Sequence, residues 1–100
     1  MSDFKPQLIV DVTLYPTEKG GRAGPLIGDY FGCVCMKRRD GKSRNWDGRL
    51  LLTDLPLAPG ETRQVGMVFL SGDMAAADLR ATGKFYLWEG KVIGEATIVS

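Results

Sequence analysis

Residues 8–15 of the chain read LIVDVTLY, and they carry the clearest structural signal in the sequence. The side chains of Leu8, Val10, Val12 and Leu14 alternate with those of Ile9, Asp11, Thr13 and Tyr15. A period of two places successive side chains on opposite faces of a β-strand. The stretch is therefore predicted to be a strand with one buried face.

Outward from this strand, short segments rich in β-branched and aromatic residues are separated by clusters of glycine and proline, which are turn signals. We predict six strands, at residues 7–15, 29–38, 45–53, 62–70, 83–89 and 91–99. The turn at Glu89-Gly90 suits an antiparallel hairpin of the last two strands. A short connecting helix is predicted over residues 74–80, with Asp73 as its N-cap. Short strands without long intervening helices favour an all-β barrel or sandwich.

The composition indicates one small globular domain. The chain has 100 residues, of which 44% are hydrophobic and 25% charged, the usual balance for a folded protein. Its 13 basic and 12 acidic residues leave a net charge of +1, too little to attract nucleic acid or an anionic membrane non-specifically. We see neither a signal-peptide pattern nor an apolar stretch near the roughly 20 residues that span a bilayer, and so expect a soluble, cytoplasmic protein that does not bind membranes.

The residues that usually carry catalysis are scarce. The chain has no histidine, which excludes Ser-His-Asp and Cys-His nucleophile systems and imidazole metal sites. Cys33 and Cys35 are too few ligands for a closed zinc site, and a disulfide between them would be strained. The triplet Gly41-Lys42-Ser43 lacks the glycine that a P-loop needs where this chain has Met36. We predict a protein without enzymatic activity, metal, cofactor or nucleotide; an enzyme using paired carboxylates or a cysteine thiolate is the weaker alternative.

A basic turn is the first candidate binding site. Residues 37–44, here called the basic turn, contain Lys37, Arg38, Arg39, Lys42 and Arg44 around the turn signal Asp40-Gly41. Such cations bind phosphates, and Trp46 just beyond them offers a ring on which an RNA base could stack. The alternative is a solvated hairpin whose charges protect a sheet edge from aggregation.

Surface aromatic residues are the second candidate. If Phe85 and Leu87 point into the core, Tyr86 and Trp88 point away from it. Exposed large rings are typical anchors of protein interfaces. The alternative is that the barrel or a loop covers both rings.

The chain also resembles a known family. Residues 20–25 read GGRAGP and are followed by Tyr30, and residues 83–94 form the last hairpin; these features are similar to the third, C-terminal β-barrel domain of elongation factor Tu. The resemblance runs from about Val10 to Val99 and implies a single closed antiparallel Greek-key barrel of about six strands over residues 1–100. It includes no GTPase domain. Where the family has Gly-Tyr-Arg-Pro-Gln, this chain keeps Tyr30 alone.

The expected function is therefore a stand-alone, non-catalytic barrel that binds another protein. Arg22 and Tyr30 enter the expected contact set from the resemblance, beside Tyr86 and Trp88 from the strand pattern. The alternative is an RNA- or tRNA-binding module that uses the basic turn and Trp46. A link to translation is implied by the resemblance alone, and the oligomeric state is left open.

Overall fold

The computed structural model describes residues 5–100, in which six antiparallel strands close into a barrel. The strands are β1 (Leu8–Leu14), β2 (Tyr30–Met36), β3 (Asn45–Leu51), β4 (Thr62–Phe69), β5 (Lys84–Trp88) and β6 (Val92–Ile98), and the helix α1 spans Asp73–Thr82. Their spatial order is β1-β4-β3-β2-β5-β6, and β6 pairs with β1 to close the ring. Strands β2, β3 and β4 are neighbours in sequence order, and β1 lies beside β4, so a long connection joins β1 to β2. This arrangement is a Greek key. The predicted fold class and the six predicted strands are confirmed.

The barrel interior is filled by the alternating side chains that the sequence pattern indicated. Every second residue of β1, from Leu8 to Leu14, is at most 1% exposed. The other strands contribute inward side chains that include Leu50, Met67, Phe85 and Leu87. Burial of each such side chain contributes about 1.5–3 kcal/mol. The outward residues of the same strands are thereby fixed on the surface.

One end of the barrel is covered by α1, which packs against β4 and β5 through Ala75, Ala76 and Leu79. The helix begins at Asp73 and its N-cap is Gly72, without a side-chain capping bond. The prediction that Asp73 is the N-cap is therefore wrong. Asp73 lies in the first turn, where its negative charge is stabilised by the positive end of the helix dipole. No helix within residues 5–100 is long and apolar enough to cross a membrane.

The opposite end of the barrel is covered by two connections, residues 15–29 and 52–61. Leu26 and Leu57, one from each connection, pair backbone to backbone at 2.9 Å and are fully buried. The first connection contains a short 3-10 helix, Thr17–Lys19, after which Gly21 donates its N–H to the carbonyl of Pro16 at 3.0 Å. Gly21 is therefore packed tightly against the backbone of the connection.

Gly21→Ala is expected to lower the free energy of unfolding by about 1–3 kcal/mol, the usual cost of forcing extra atoms into packed structure. A Cβ on Gly21 would overlap the carbonyl oxygen of Tyr15 and lie 2.8 Å from that of Pro16. Gly24→Ala is the matched control, because nothing lies within 4 Å of a Cβ there. Urea unfolding measures both variants. Equal stabilities of the two would show that the close approach at Gly21 is not what restricts the position.

Candidate functional site

The basic turn joins β2 to β3, as predicted, but much of its charge is used within the chain. The Lys37 ammonium lies 2.9 Å from Asp78 Oδ1. The Arg38 guanidinium donates to both carboxylate oxygens of Asp40, at 3.2 and 2.7 Å. Two of the five cations therefore have acidic partners of their own, which weakens their attraction for phosphate.

Arg39 fastens the basic turn to the side of the barrel. Its guanidinium lies 5.3 Å from the ring centroid of Tyr15 and 5.6 Å from that of Tyr86, and it donates to the Tyr15 hydroxyl at 2.7 Å. That hydroxyl donates to Glu95, which also pairs with Lys84 at 3.2 Å. Tyr86 points outward as predicted, yet it is half-buried between two cations, because the Lys84 ammonium is 5.5 Å from its ring.

Trp46 does not offer the open ring that the RNA-binding hypothesis needs. Its side chain faces the barrel interior and only 5% of the residue is exposed. The indole Nε1 donates to Asp78 Oδ2 at 2.8 Å, and the Arg44 guanidinium lies 4.5 Å from the ring centroid. The expected stacking role of Trp46 is thus at odds with the structure: β3 turns this residue inward, in register with the fully buried Cys35.

Asp78 connects the basic turn, Trp46 and α1. The hydrogen bond from Lys37, followed by that from Trp46, holds the pKa of the Asp78 carboxyl below its usual value. Arg39, Lys42 and Arg44 are then the cations of the turn that have no ion-pair partner among the described residues, and of these Arg39 is held by Tyr15 and Tyr86. Asp78 was not singled out from the sequence, because it lies on a helix far from the turn along the chain.

A groove of about 860 Å³ crosses the outer face of β2, β3 and the end of β4. We call it the outer groove. Its lining residues are Lys5, Gln7, Gly32, Cys33, Val34, Asp47, Gly48, Arg49, Val68, Phe69, Leu70, Trp88, Glu89 and Gly90. A second hollow of about 530 Å³ extends toward the basic turn and shares Val34, Asp47 and Trp88 with it. The volume of the outer groove is in the range of ordinary ligand-binding sites.

Trp88 forms one wall of the outer groove. The predicted orientation of this hairpin is confirmed, since Phe85 and Leu87 are fully buried and Trp88 is 40% exposed. The register of β5 against β6 shifts between Leu87, opposite Gly94, and Trp88, opposite Val92, and such irregularities are common at the rims of barrels. Leu70, which is 85% exposed, also lines the groove. The outer groove therefore has two exposed apolar residues on its rim.

The barrel is loosely closed beside this wall. β2 pairs with β5 through Val34–Met36, while within residues 5–100 the strand residues before Val34 pair with β3 alone. Phe31 and Cys33 face inward and are half-buried, whereas Cys35, opposite Leu87, is fully buried. We call this opening the seam.

Arg22 braces the seam. Its Nε lies 3.0 Å from Glu89 Oε1, its Nη1 donates to the carbonyls of Gly24 and Pro25, and its guanidinium lies 5.4 Å from the ring centroid of Phe31. Arg22, expected as a partner contact, is thus engaged inside its own chain. Tyr30, at the start of β2, is 45% exposed beneath the Arg49 guanidinium at 5.0 Å.

The environment of the Cys35 thiol at the seam disfavours its reactive form. The hydrogen bond with Cys33, followed by burial, raises the pKa of the Cys35 thiol well above its ordinary value. A thiol with a raised pKa is a weak nucleophile at neutral pH, because the thiolate is the reactive form. In the part of the chain that the structure describes, no group of three or more His, Cys, Asp or Glu side chains is placed to hold a metal ion.

These features define a class by architecture: a small all-β protein with a closed six-stranded antiparallel barrel and an outer groove. The comparison with protein-family models finds no match, and the comparison with curated proteins finds no similar sequence. The likeness to the third domain of elongation factor Tu stays a resemblance carried by the loop at residues 20–25 and the last hairpin.

Asp78→Ala is expected to lower the free energy of unfolding by roughly 1–3 kcal/mol, because it leaves the buried Trp46 Nε1 without its acceptor. Asp78→Asn, which keeps an acceptor but loses the charge, should cost less. The pKa of Asp78 is lowered in the folded state, so its charge stabilises the fold above the unfolded pKa of about 4 and this contribution is lost as the pH falls through the folded pKa. Urea unfolding from pH 7 downward measures it; a difference between wild type and Asp78→Asn that grows on acidification would contradict the assignment.

Proposed function

We propose that this protein is a non-catalytic, cytoplasmic protein-interaction module whose contact surface is the outer groove. The observation that carries the proposal is Trp88, a tryptophan 40% exposed on the wall of a groove that also exposes Leu70. Tryptophan is enriched among the residues that supply most of the binding energy at protein interfaces. The cost of leaving both residues exposed is offset when a partner covers them.

The four expected contact residues have different positions relative to this surface. Trp88 lines the groove, and Tyr30 is exposed next to it, under Arg49, whose side chain also lines the groove. Arg22 and Tyr86 are held by neighbours in their own chain. We therefore propose Trp88 and Tyr30 as contacts, with Arg22 keeping the turn after β5, and hence Trp88, in place.

The RNA-binding alternative has less support. Two cations of the basic turn are ion-paired, a third is stacked on two tyrosines, and Trp46 is buried. Lys42 is left to contact phosphates, together with Arg44, whose guanidinium lies 4.5 Å from the Trp46 ring centroid. The resemblance to the elongation factor domain supports a translation-related setting for the protein, and it does so independently of the groove.

The test is affinity capture of the tagged protein from native lysate, divided into nuclease-treated and untreated halves. The same partner proteins are expected in both halves, and Trp88→Ala is expected to lose them. Leu55→Ala is the matched control, because Leu55 is 59% exposed and does not line the groove. Thermal unfolding of both variants checks that the barrel is intact.

Two results would overturn the proposal. Partners that disappear with nuclease, and whose capture falls steeply with salt, would indicate phosphate contacts by the basic turn, because each neutralised phosphate releases counterions. Equal loss of capture in Trp88→Ala and Leu55→Ala would show that the groove is not the specific contact.

A further inference from the structure

The outer groove is built from two adjacent rows of outward side chains. In the first row, Trp88, Val34 and Asp47 are in register across β5, β2 and β3. Leu70 continues this row, because its N–H donates to the Asp47 carbonyl at 3.1 Å. In the second row, Gly32, Arg49 and Val68 are in register across β2, β3 and β4. Gly90, in the turn two residues after Trp88, also lines the groove.

The two rows carry opposite charges at their centre. Asp47 and Arg49 are two residues apart on β3, so both project from the outer face, and both are exposed. Neither forms an ion pair with any residue between 5 and 100. An acid and a base thus lie side by side on the outer sheet face without an ion pair between them, and the Arg49 guanidinium lies 5.0 Å from the ring centroid of Tyr30.

The two rows also differ in size at corresponding positions. The first has Val34 and Trp88 where the second has Gly32 and the turn glycine Gly90. Gly32 lies in a strand with no positive φ, and a Cβ there would be 3.9 Å from its nearest neighbour, the carbonyl oxygen of Gly48. The barrel itself therefore leaves room for a side chain at this position. A glycine in a strand often marks the place where another chain approaches closely.

We propose that the outer groove is a two-fold interface between two copies of this chain. The two-fold axis runs perpendicular to the strands, halfway between the two rows, at the level of the pair Cys33 and Gly48. Rotation about this axis places the first row of one copy opposite the second row of the other. Asp47 then faces Arg49 of the second copy, twice by symmetry. Val34 lies over the hollow at Gly32, and Trp88 lies against Gly90. This is an isologous contact, in which residue i meets residue j and j meets i.

The inference rests on the proposed function, because it uses the same surface, and it names a second copy as the partner. A partner for this groove must present a basic group opposite Asp47 and an acidic group opposite Arg49, two residues apart along a strand. It must also place bulky groups opposite Gly32 and Gly90. The chain itself has this arrangement in the required order. A net charge of +1 per copy adds little repulsion between two copies.

The experiment measures the mass of the purified full chain by sedimentation equilibrium between about 10 µM and 1 mM, where weak association is resolved. A monomer–dimer equilibrium is expected. Asp47→Arg and Arg49→Asp should each weaken it by about tenfold or more, because each places like charges opposite each other twice. Lys19→Asp, a charge reversal at an exposed position away from the groove, should leave it unchanged.

Restoration of the charge pairs makes the test specific. An equimolar mixture of Asp47→Arg and Arg49→Asp should recover the dimer, because one copy then carries two bases and the other two acids. The double variant should recover it as well. Gly32→Val should weaken the dimer without unfolding the barrel, since there is space for the side chain. Thermal unfolding of every variant checks the fold.

A monomer over the whole concentration range would overturn the inference, as would a dimer that neither charge reversal weakens or that neither the mixture nor the double variant restores. Failure of the proposed function has a separate signature, namely nuclease-sensitive capture. A monomer that still captures a different protein through Trp88 would remove the second copy as partner and leave the interaction module in place.

Discussion

The pairing of β1 with both β4 and β6 is the constraint on which the rest of the structure depends. It converts a row of strands into a closed ring and decides which side chains of every strand face the interior. The approach of β1 to β6 is close: a Cβ on Gly94 would lie 2.5 Å from the carbonyl oxygen of Thr13. Gly94 is therefore needed because two backbones meet there. Once the ring is closed, the side chains of β2 and β3 that point away from the interior form part of the outer surface.

Closure is uneven around the ring, and the candidate site lies where it is weakest. β1 is paired along most of its length on both sides, whereas β2 and β5 share three residue pairs. β5 ends at Trp88, before the turn at Glu89 and Gly90, so it has no residue left to pair with β2 ahead of Val34, and this leaves the seam open. Arg22 bridges the connection at residues 20–25 to Glu89 and covers the ring of Phe31. The loop that carries the family resemblance thus supports the wall of the groove.

Electrostatics separates the two candidate surfaces. In the basic turn, nearby acids and rings take up Lys37, Arg38 and Arg39, so the local charge holds the turn to the barrel and to α1. In the outer groove, Asp47 and Arg49 are exposed beside apolar side chains and form no ion pair within residues 5–100, and the Arg49 guanidinium lies over the Tyr30 ring. A high density of basic residues along the sequence therefore does not show how many of them lack an acidic partner, whereas Asp47 and Arg49, two residues apart on β3, supply the charges of the proposed two-fold contact.

The sequence by itself predicted the six strands, the buried face of β1 and the placing of Trp88 on the face opposite Phe85 and Leu87, because a period of two and the glycine and proline turns are local properties of the chain. It also located the basic turn. Only the tertiary structure decided that the Trp46 indole is covered and bonded to Asp78, 32 residues further along. The same holds for the outer groove: Asp47, Val34 and Trp88 meet through the register of three strands. Non-local pairing sets that register, and the side-chain alternation of one strand contains no information about which residues of another strand will lie beside it.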